Sequence, residues 1–437
     1  MNQSDILQTT LPNGLTVLLK ELHHAPLISH WVWYRVGARN ETPGSTGISH
    51  WVEHMQFKGT PRFPASQLDR AISREGGMWN AMTHMDWTAY FETMPAEKIG
   101  LALELEADRM VNSVFDKKET EAERTVVISE REGNENDPMF RLGESLLKAA
   151  FARHAYRHEV IGEMEDLRAI SRDQLYSHYR RHYTPANAVL AAAGDFDSNE
   201  MLEHVQAAFG GIPAGEPAAC APETDQPPAR EERVVLAGQG DALYLQCAYR
   251  APAARERDFF ILTVIDSLLS GPASLAMFGE ASVSNKSSRL YKRLVEGDLA
   301  AGVGGSLQAT IDPYLYTITA TIAPDGDYTR TLAAIDDEIK RLQDAPVAEE
   351  EIRKAAKQAK ALFAYGTESI TNQAFWLGYA SMFADTTWFS GYVESLESVT
   401  PAEVLDAAQR LLQPQRRVVG VYQPVAHAYV KELFGEE

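Results

Sequence analysis

Two periodicities alternate along the chain. Leu15–Leu19 and Leu27–Val36 alternate or run apolar as strands do, and Asn13-Gly14 ahead of them supplies turn chemistry. Apolar positions then recur at helical spacing from Thr46 to about Lys58 and again over Ser66–Glu75, which closes at Gly76-Gly77. Met78–Thr93 returns to alternation, and Pro95–Asn112 reads as a long amphipathic helix. A break follows at Gly215–Glu232, GEPAACAPETDQPPAREE, which holds four prolines and no apolar periodicity. Beyond it the order recurs: strand-like Val234–Tyr249, helical Arg255–Leu269 and Ser287–Glu296, strand-like Ala300–Ile322, helical Asp327–Leu342. The pattern predicts two α+β units of similar topology: an N-terminal domain over 1–214, a linker over 215–232 and a C-terminal domain over 233–437.

Composition narrows the function classes. The 437 residues are 45% hydrophobic and 23% charged, as in an ordinary globular protein with a large core. The formal charge is 41 − 61 = −20, so nucleic acid, which requires a basic face, is not an expected partner. Such a surface attracts basic peptides and repels anionic membranes. Cys220 and Cys247 are too few for a disulfide scaffold or an all-thiolate zinc site. No apolar run approaches the length of a membrane span, so no membrane insertion is expected. Met1–Asp5 has neither a basic nor an apolar region, so the expected location is the cytoplasm, or the periplasm if a leader has been removed.

The chemistry concentrates in His50-Trp51-Val52-Glu53-His54. At about 100° per residue, His54 lies roughly 40° and Glu53 roughly −60° from His50, so one helix face carries all three. Imidazoles at i and i+4 can share a zinc ion, and a glutamate beside it can take a proton from water. The order HxxEH presents the groups of HExxH on a helix running the opposite way. The bland alternative is a polar helix face. A catalytic zinc also needs a third protein ligand. A second helix beginning near Asp116 carries Glu119, Glu123 and Glu130 in one stripe, with Val126, Val127 and Ile128 between them. That run is expected to bury Glu130, where an unpaired carboxylate would be costly; the alternative is a solvated acidic face. His154/His158 have the same spacing in a segment without helical apolar periodicity, and His178/His182 have it with no carboxylate between them; both read as structural or surface pairs. His23, His24, His30 and His84 read likewise. Gly302-Val303-Gly304-Gly305 has no following Lys-Ser/Thr and reads as a bulge or close-packing site. No GxSxG elbow supports a serine hydrolase.

The segments TLPNGLTVLLKE, TGISHWVEHMQFKGT, GGMWNAMTHMDWTAYF, ERTVVISEREGNENDP, HYTPANAVLAAAGDFD and SSRLYKRLV occur in this order. In them the chain resembles the pitrilysin/insulinase family of zinc peptidases, the inverzincins, and most closely its processing-peptidase-like branch. The resemblance implies two homologous α/β-roll domains, each an antiparallel sheet covered by helices, with a metal site in the first only. It implies one zinc per chain held by His50, His54 and Glu130, Glu53 as general base, and Glu123 assisting. It also implies an edge strand at Asn80-Ala81 that pairs with an extended peptide inside an enclosed chamber.

The sequence departs from the family at one block. Active members carry an Arg and a Tyr about seven residues apart in a segment like LRExxGLAYSV. Here Leu294–Val303 reads LVEGDLAAGV, one residue shorter, with Val295 and Ala301 at those places and Arg293 nearby. Two-chain relatives divide the work, a zinc-free subunit supplying the pair. The expectation is therefore a zinc endopeptidase that is the catalytic subunit of a heterodimer with a homologous zinc-free partner. A homodimer is the variant, and a non-catalytic assembly subunit of the same fold is the rival.

Overall fold

The computed structural model describes residues 6–217, 225–272 and 284–425. The chain forms two compact units. The first comprises Met1–Glu132, His158–Glu223 and Thr367–Ser390; the second comprises Gly133–Arg157, Thr224–Gly366 and Gly391–Glu437.

Chain order begins with β1 (Ile6–Thr10), β2 (Thr16–Glu21), β3 (Leu27–Tyr34), α1 (Ile48–Gln56), α2 (Ala65–Arg74), β4 (Met78–Thr83) and β5 (Thr88–Pro95). It continues through α3 (Ile99–Asn112), α4 (Lys117–Asn134), α5 (Pro138–Ala150), α6 (Met164–Ala169), α7 (Arg172–His182), β6 (Ala188–Gly194) and α8 (Ser198–Phe209). The later elements are β7 (Glu232–Gly238), β8 (Leu243–Arg250), α9 (Arg257–Leu269), β9 (Gly302–Leu307), β10 (Leu315–Ile322), α10 (Tyr328–Asp344) and α11 (Glu349–Tyr365). Last come α12 (Ile370–Phe383), α13 (Thr386–Ser390), α14 (Tyr392–Glu397), α15 (Pro401–Leu411) and β11 (Val418–Pro424).

In the first unit the strands lie in the order β1-β2-β6-β3-β5-β4. β3 reads LISHWVWY and is buried at every position after Leu27, as a central strand covered on both faces must be. β6 reads AVLAAAG, and its small side chains let a helix lie close. That helix is α12, apolar on all sides and therefore a buried element. Its Gly378 sits where any Cβ would run into the Trp33 indole, and Phe375 packs edge-on against Trp31 at 5.5 Å.

The second unit has the order β7-β11-β8-β10-β9. Leaving β1 aside, this repeats the first sheet strand for strand: the β2–β6 and β7–β11 pairs are parallel and all the others antiparallel. Here α5 covers β11 and β7, with Leu142 and Leu146 over Gly420. Each unit is thus completed by a segment from the other half of the chain, which the hydropathy pattern does not reveal.

The α+β class and the repeated topology agree with the sequence expectation, with two corrections. The sheets are mixed rather than purely antiparallel, because β6 and β11 return to their sheets only after long helical excursions and so run parallel to β2 and β7. Ser287–Glu296 is helical only over 289–295, and π-helical at Tyr291–Val295. The alternating stretches Met78–Thr93 and Ala300–Ile322 each resolve into two antiparallel neighbours, whereas Val234–Tyr249 resolves into β7 and β8, which lie on either side of β11. Gly305 is a close-packing site, since a Cβ there would meet the Asp266 carboxylate. Part of the expected linker, 218–224 with Cys220, lies outside the described residues.

Candidate metal centre

α1 is short because both ends are fixed: Gly47 enters it in the left-handed region (φ +84°), and the chain turns away at Phe57. Trp51, Val52 and Met55 are fully buried on its inner face. His50, Glu53 and His54 are left on the opposite arc, with the two imidazoles 4.6 Å apart and nearly perpendicular. α4 brings the acidic stripe across them. Glu130 Oε1 lies 3.8 Å from His50 Nε2, and its Oε2 lies 3.5 Å from His54 Nε2. Among the described residues, His50, His54 and Glu130 are the group whose ligand atoms all lie within 4.8 Å of one another.

These residues fit zinc. Three donors about 2.0–2.1 Å from a tetrahedral ion stand roughly 3.4 Å apart, close to the spacings found, and a His₂Glu set leaves the fourth position open. His50 is also in the right state. Burial, with His54 alongside, pushes His50 down to about 3, so its imidazole is neutral and its lone pair available. The His54 Nδ1 lies 2.8 Å from Glu123 Oε1, while Lys58 pairs with the other Glu123 oxygen. Burial acts to lower the His54 pKa, but the bond to Glu123 and the charges of Glu53, Glu123 and Glu130 outweigh it and raise the net value. Burial acts to raise Glu123, and the His54 and Lys58 contacts bring it below the ordinary carboxylate range. A carboxylate behind the imidazole fixes its tautomer and orientation and makes it a better ligand.

Glu53 is 9% exposed, and burial lifts its pKa despite a 2.5 Å bond donated by Thr83 Oγ1 on β4. A carboxylate so placed is a stronger base than one in water.

Asn80 and Ala81 lie on β4, the outer strand of the first sheet. The Ala81 N–H does not bond into the sheet; it donates to Asn80 Oδ1 at 2.9 Å.

The expectation for Glu130 needs correction. Its side chain is 43% exposed, whereas Glu123 is 8% exposed. Of the Val-Val-Ile run only Val127 is buried and Val126 is 49% exposed, because each helix residue turns away from its neighbour. Glu119 is exposed and outside the group. Lys58 and Thr83 were not singled out in sequence. Lys58 stands four residues after His54, a spacing that could have flagged it; nothing in the alternation of β4 marks Thr83.

Several other histidines have partners elsewhere. His154 bonds Asp312 at 3.1 Å, His158 bonds Glu163 at 3.0 Å and His30 bonds Glu92 at 3.0 Å. His178 and His182 are held against each other on α7. In the block that departs from the family, Arg293 approaches Asp337 at 3.7 Å, and Ala301 is an exposed residue whose N–H donates to Thr321.

Two family models match the chain, one described as insulinase (peptidase family M16) over residues 16–163, the other as peptidase M16 inactive domain over 169–359. The chain belongs to the M16 peptidase family. Among M16 relatives, an uncharacterized zinc protease of Streptomyces coelicolor is 26% identical over 426 residues, 95% of this chain and 89% of that one. The crystal structure of a protease from Helicobacter pylori superposes with a TM-score of 0.87 at 24% identity, covering 96% of this chain and 99% of the other. A chain of complex III2 from Candida albicans gives 0.79 at 16% identity, covering 95% of each. The M16 fold thus serves chains of different names, and the two structural likenesses speak to fold alone. No helix among the described residues is long and apolar enough to cross a membrane.

Proposed function

We propose that this chain is a zinc-dependent endopeptidase that cleaves extended or unfolded peptides in an enclosed chamber, as the catalytic subunit of a heterodimer. The observation that carries the reading is the convergence of His50, His54 and Glu130, with Glu53 buried beside them on the same helix. One zinc ion would be held by those three residues. When bound, it supplies a Lewis acid that polarises a carbonyl and makes water more acidic.

The chain's own residues do the rest. Glu53 takes a proton from the attacking water at its carboxylate and returns it to the leaving amine. Thr83 keeps that carboxylate aimed by donating to one oxygen. Glu123 orients His54. The peptide lies along β4 as an added strand beside Asn80 and Ala81, a mode that selects for extended chains. Val295 and Ala301, standing where the family has Arg and Tyr, support a homologous zinc-free partner subunit that supplies this pair and completes the chamber.

A second reading, a non-catalytic assembly subunit, is favoured by one observation: residues 169–359 match a domain described as inactive. Bound zinc and peptide cleavage, measured for the native protein and for Glu53→Gln, separate the two. The expected outcome is about one zinc per chain in both, with cleavage at least a thousandfold slower in the variant, on the order of the largest general-base contributions. Absence of zinc from both would remove the metal reading. Zinc in both with no cleavage by the native protein, alone or with a homologous partner, would favour the assembly reading.

A further inference from the structure

The first turn of α1 has no cap of its own. Gly47 at the cap position carries no side chain, and Gly47, Ile48 and Ser49 are all buried, so the free N–H groups of that turn cannot bond to water. Glu41, upstream in the chain and 8% exposed, supplies the acceptors. Gly47 N donates to its Oε2 at 2.7 Å and Ser49 N donates to its Oε1 at 2.8 Å. Both oxygens of one carboxylate are thus committed to one helical turn, where negative charge also suits the helix dipole.

The turn has no slack. A Cβ on Gly47 would strike the Ile161 carbonyl, and one on Gly162 would strike the Thr46 carbonyl. A second carboxylate, Asp166, accepts from Gly44 N at 3.1 Å, Thr46 N at 3.0 Å and Thr46 Oγ1 at 2.6 Å. Its bonds stop one residue short of α1.

The two candidate histidine ligands differ in what steadies them. His54 is gripped through Nδ1 by Glu123, whereas the His50 Nδ1 is buried without a hydrogen-bond partner among the described residues. His50 follows Ser49 directly, inside the turn that Glu41 holds. We propose that Glu41 is a positioning residue for His50: its carboxylate sets the first turn of α1, and so fixes where the His50 imidazole stands for the metal. This rests on the metal reading above, and it gives α1 two separate anchors, Glu41 at its start and Glu123 near its end.

The test is zinc affinity by competition with a chromophoric chelator, with the visible spectrum of the Co²⁺-substituted protein and circular dichroism as a check on folding. Native protein, Glu41→Gln, Glu41→Ala and Asp166→Asn are compared. Loss of an outer partner of a ligand weakens metal binding roughly ten- to a hundredfold. Glu41→Gln, which keeps one acceptor oxygen, is expected near the lower figure and Glu41→Ala near the upper, both with an altered Co²⁺ spectrum. Asp166→Asn is expected to bind as the native protein does. Folded Glu41 variants with native affinity and spectrum would overturn the proposal, as would equal weakening by Asp166→Asn. If Glu41→Ala does not fold, Glu41→Gln decides. Failure of the native protein to bind zinc would instead refute the metal reading itself.

Discussion

Two buried carboxylates, one in each unit, illustrate what a residue's neighbours decide. Glu123 has a cation on one oxygen and an imidazole on the other, so it stays ionised where it lies. Asp266 on α9 has neither: its Oδ1 accepts from Ser270 and from Tyr316 at 3.0 Å, and burial pushes its pKa up to about 6 against an ordinary 3.8. The folded state therefore holds this proton more tightly than the unfolded chain, and the aspartate's contribution to stability falls as pH rises from about 4 to about 6, then levels. At about 1.4 kcal/mol per pH unit the loss is up to about 3 kcal/mol. Asp266→Asn should remove that slope. In urea unfolding followed by circular dichroism, the variant should gain on the native protein between pH 4 and 6.5 and no further above it; parallel curves would contradict the assignment. None of this was legible in the sequence, where Asp266 is one acidic residue in an apolar helix. The HxxEH set was legible because helix geometry alone gathers it. The exposure of Glu130 was not, because it depends on which side of α4 meets its neighbours.

At the level of elements, β4 carries the substrate hypothesis. Its outer edge is open in the described sheet, and the Asn80 side chain occupies the very N–H of Ala81 that an incoming strand would use. A docking peptide must displace that side chain. Proline is tolerated on an edge strand where its missing N–H faces outward. Ala81→Pro should leave zinc binding intact and raise KM roughly three- to tenfold, the worth of about one net hydrogen bond. An unchanged KM would argue against docking along this edge. Elements with a clear period, such as α2 and the β4–β5 hairpin, could be read from sequence within a residue or two. β6 and α12 could not: one is mostly alanine and the other apolar on every face, so neither shows the alternation or amphipathic stripe that marks its type.

The whole chain is more interlaced than its repeat suggests. α12 covers β3 and β6 of the first sheet, and α5 covers β11 and β7 of the second, yet each helix is encoded in the opposite half. Short connections on both sides of each helix leave no mark of this in the sequence. Cutting the chain within 218–224 should therefore give two fragments, each with an uncovered sheet. Expressed alone, each should be insoluble or aggregated; expressed together, they should co-purify as a folded pair. A fragment that is monomeric and folded by itself would contradict the exchange.

The same exchange determines what an optical experiment on this protein can see. Trp31, Trp33, Trp51, Trp79 and Trp87 belong to the first unit by position in the chain, and Trp376 and Trp388 belong to it because 367–390 crosses over. All seven indoles thus sit in the unit that carries the metal candidates, and none in the other. Tryptophan emission, excited selectively over tyrosine, is accordingly a private reporter of the first unit. A melting curve recorded by emission and one recorded by backbone ellipticity will coincide only if the two units unfold together.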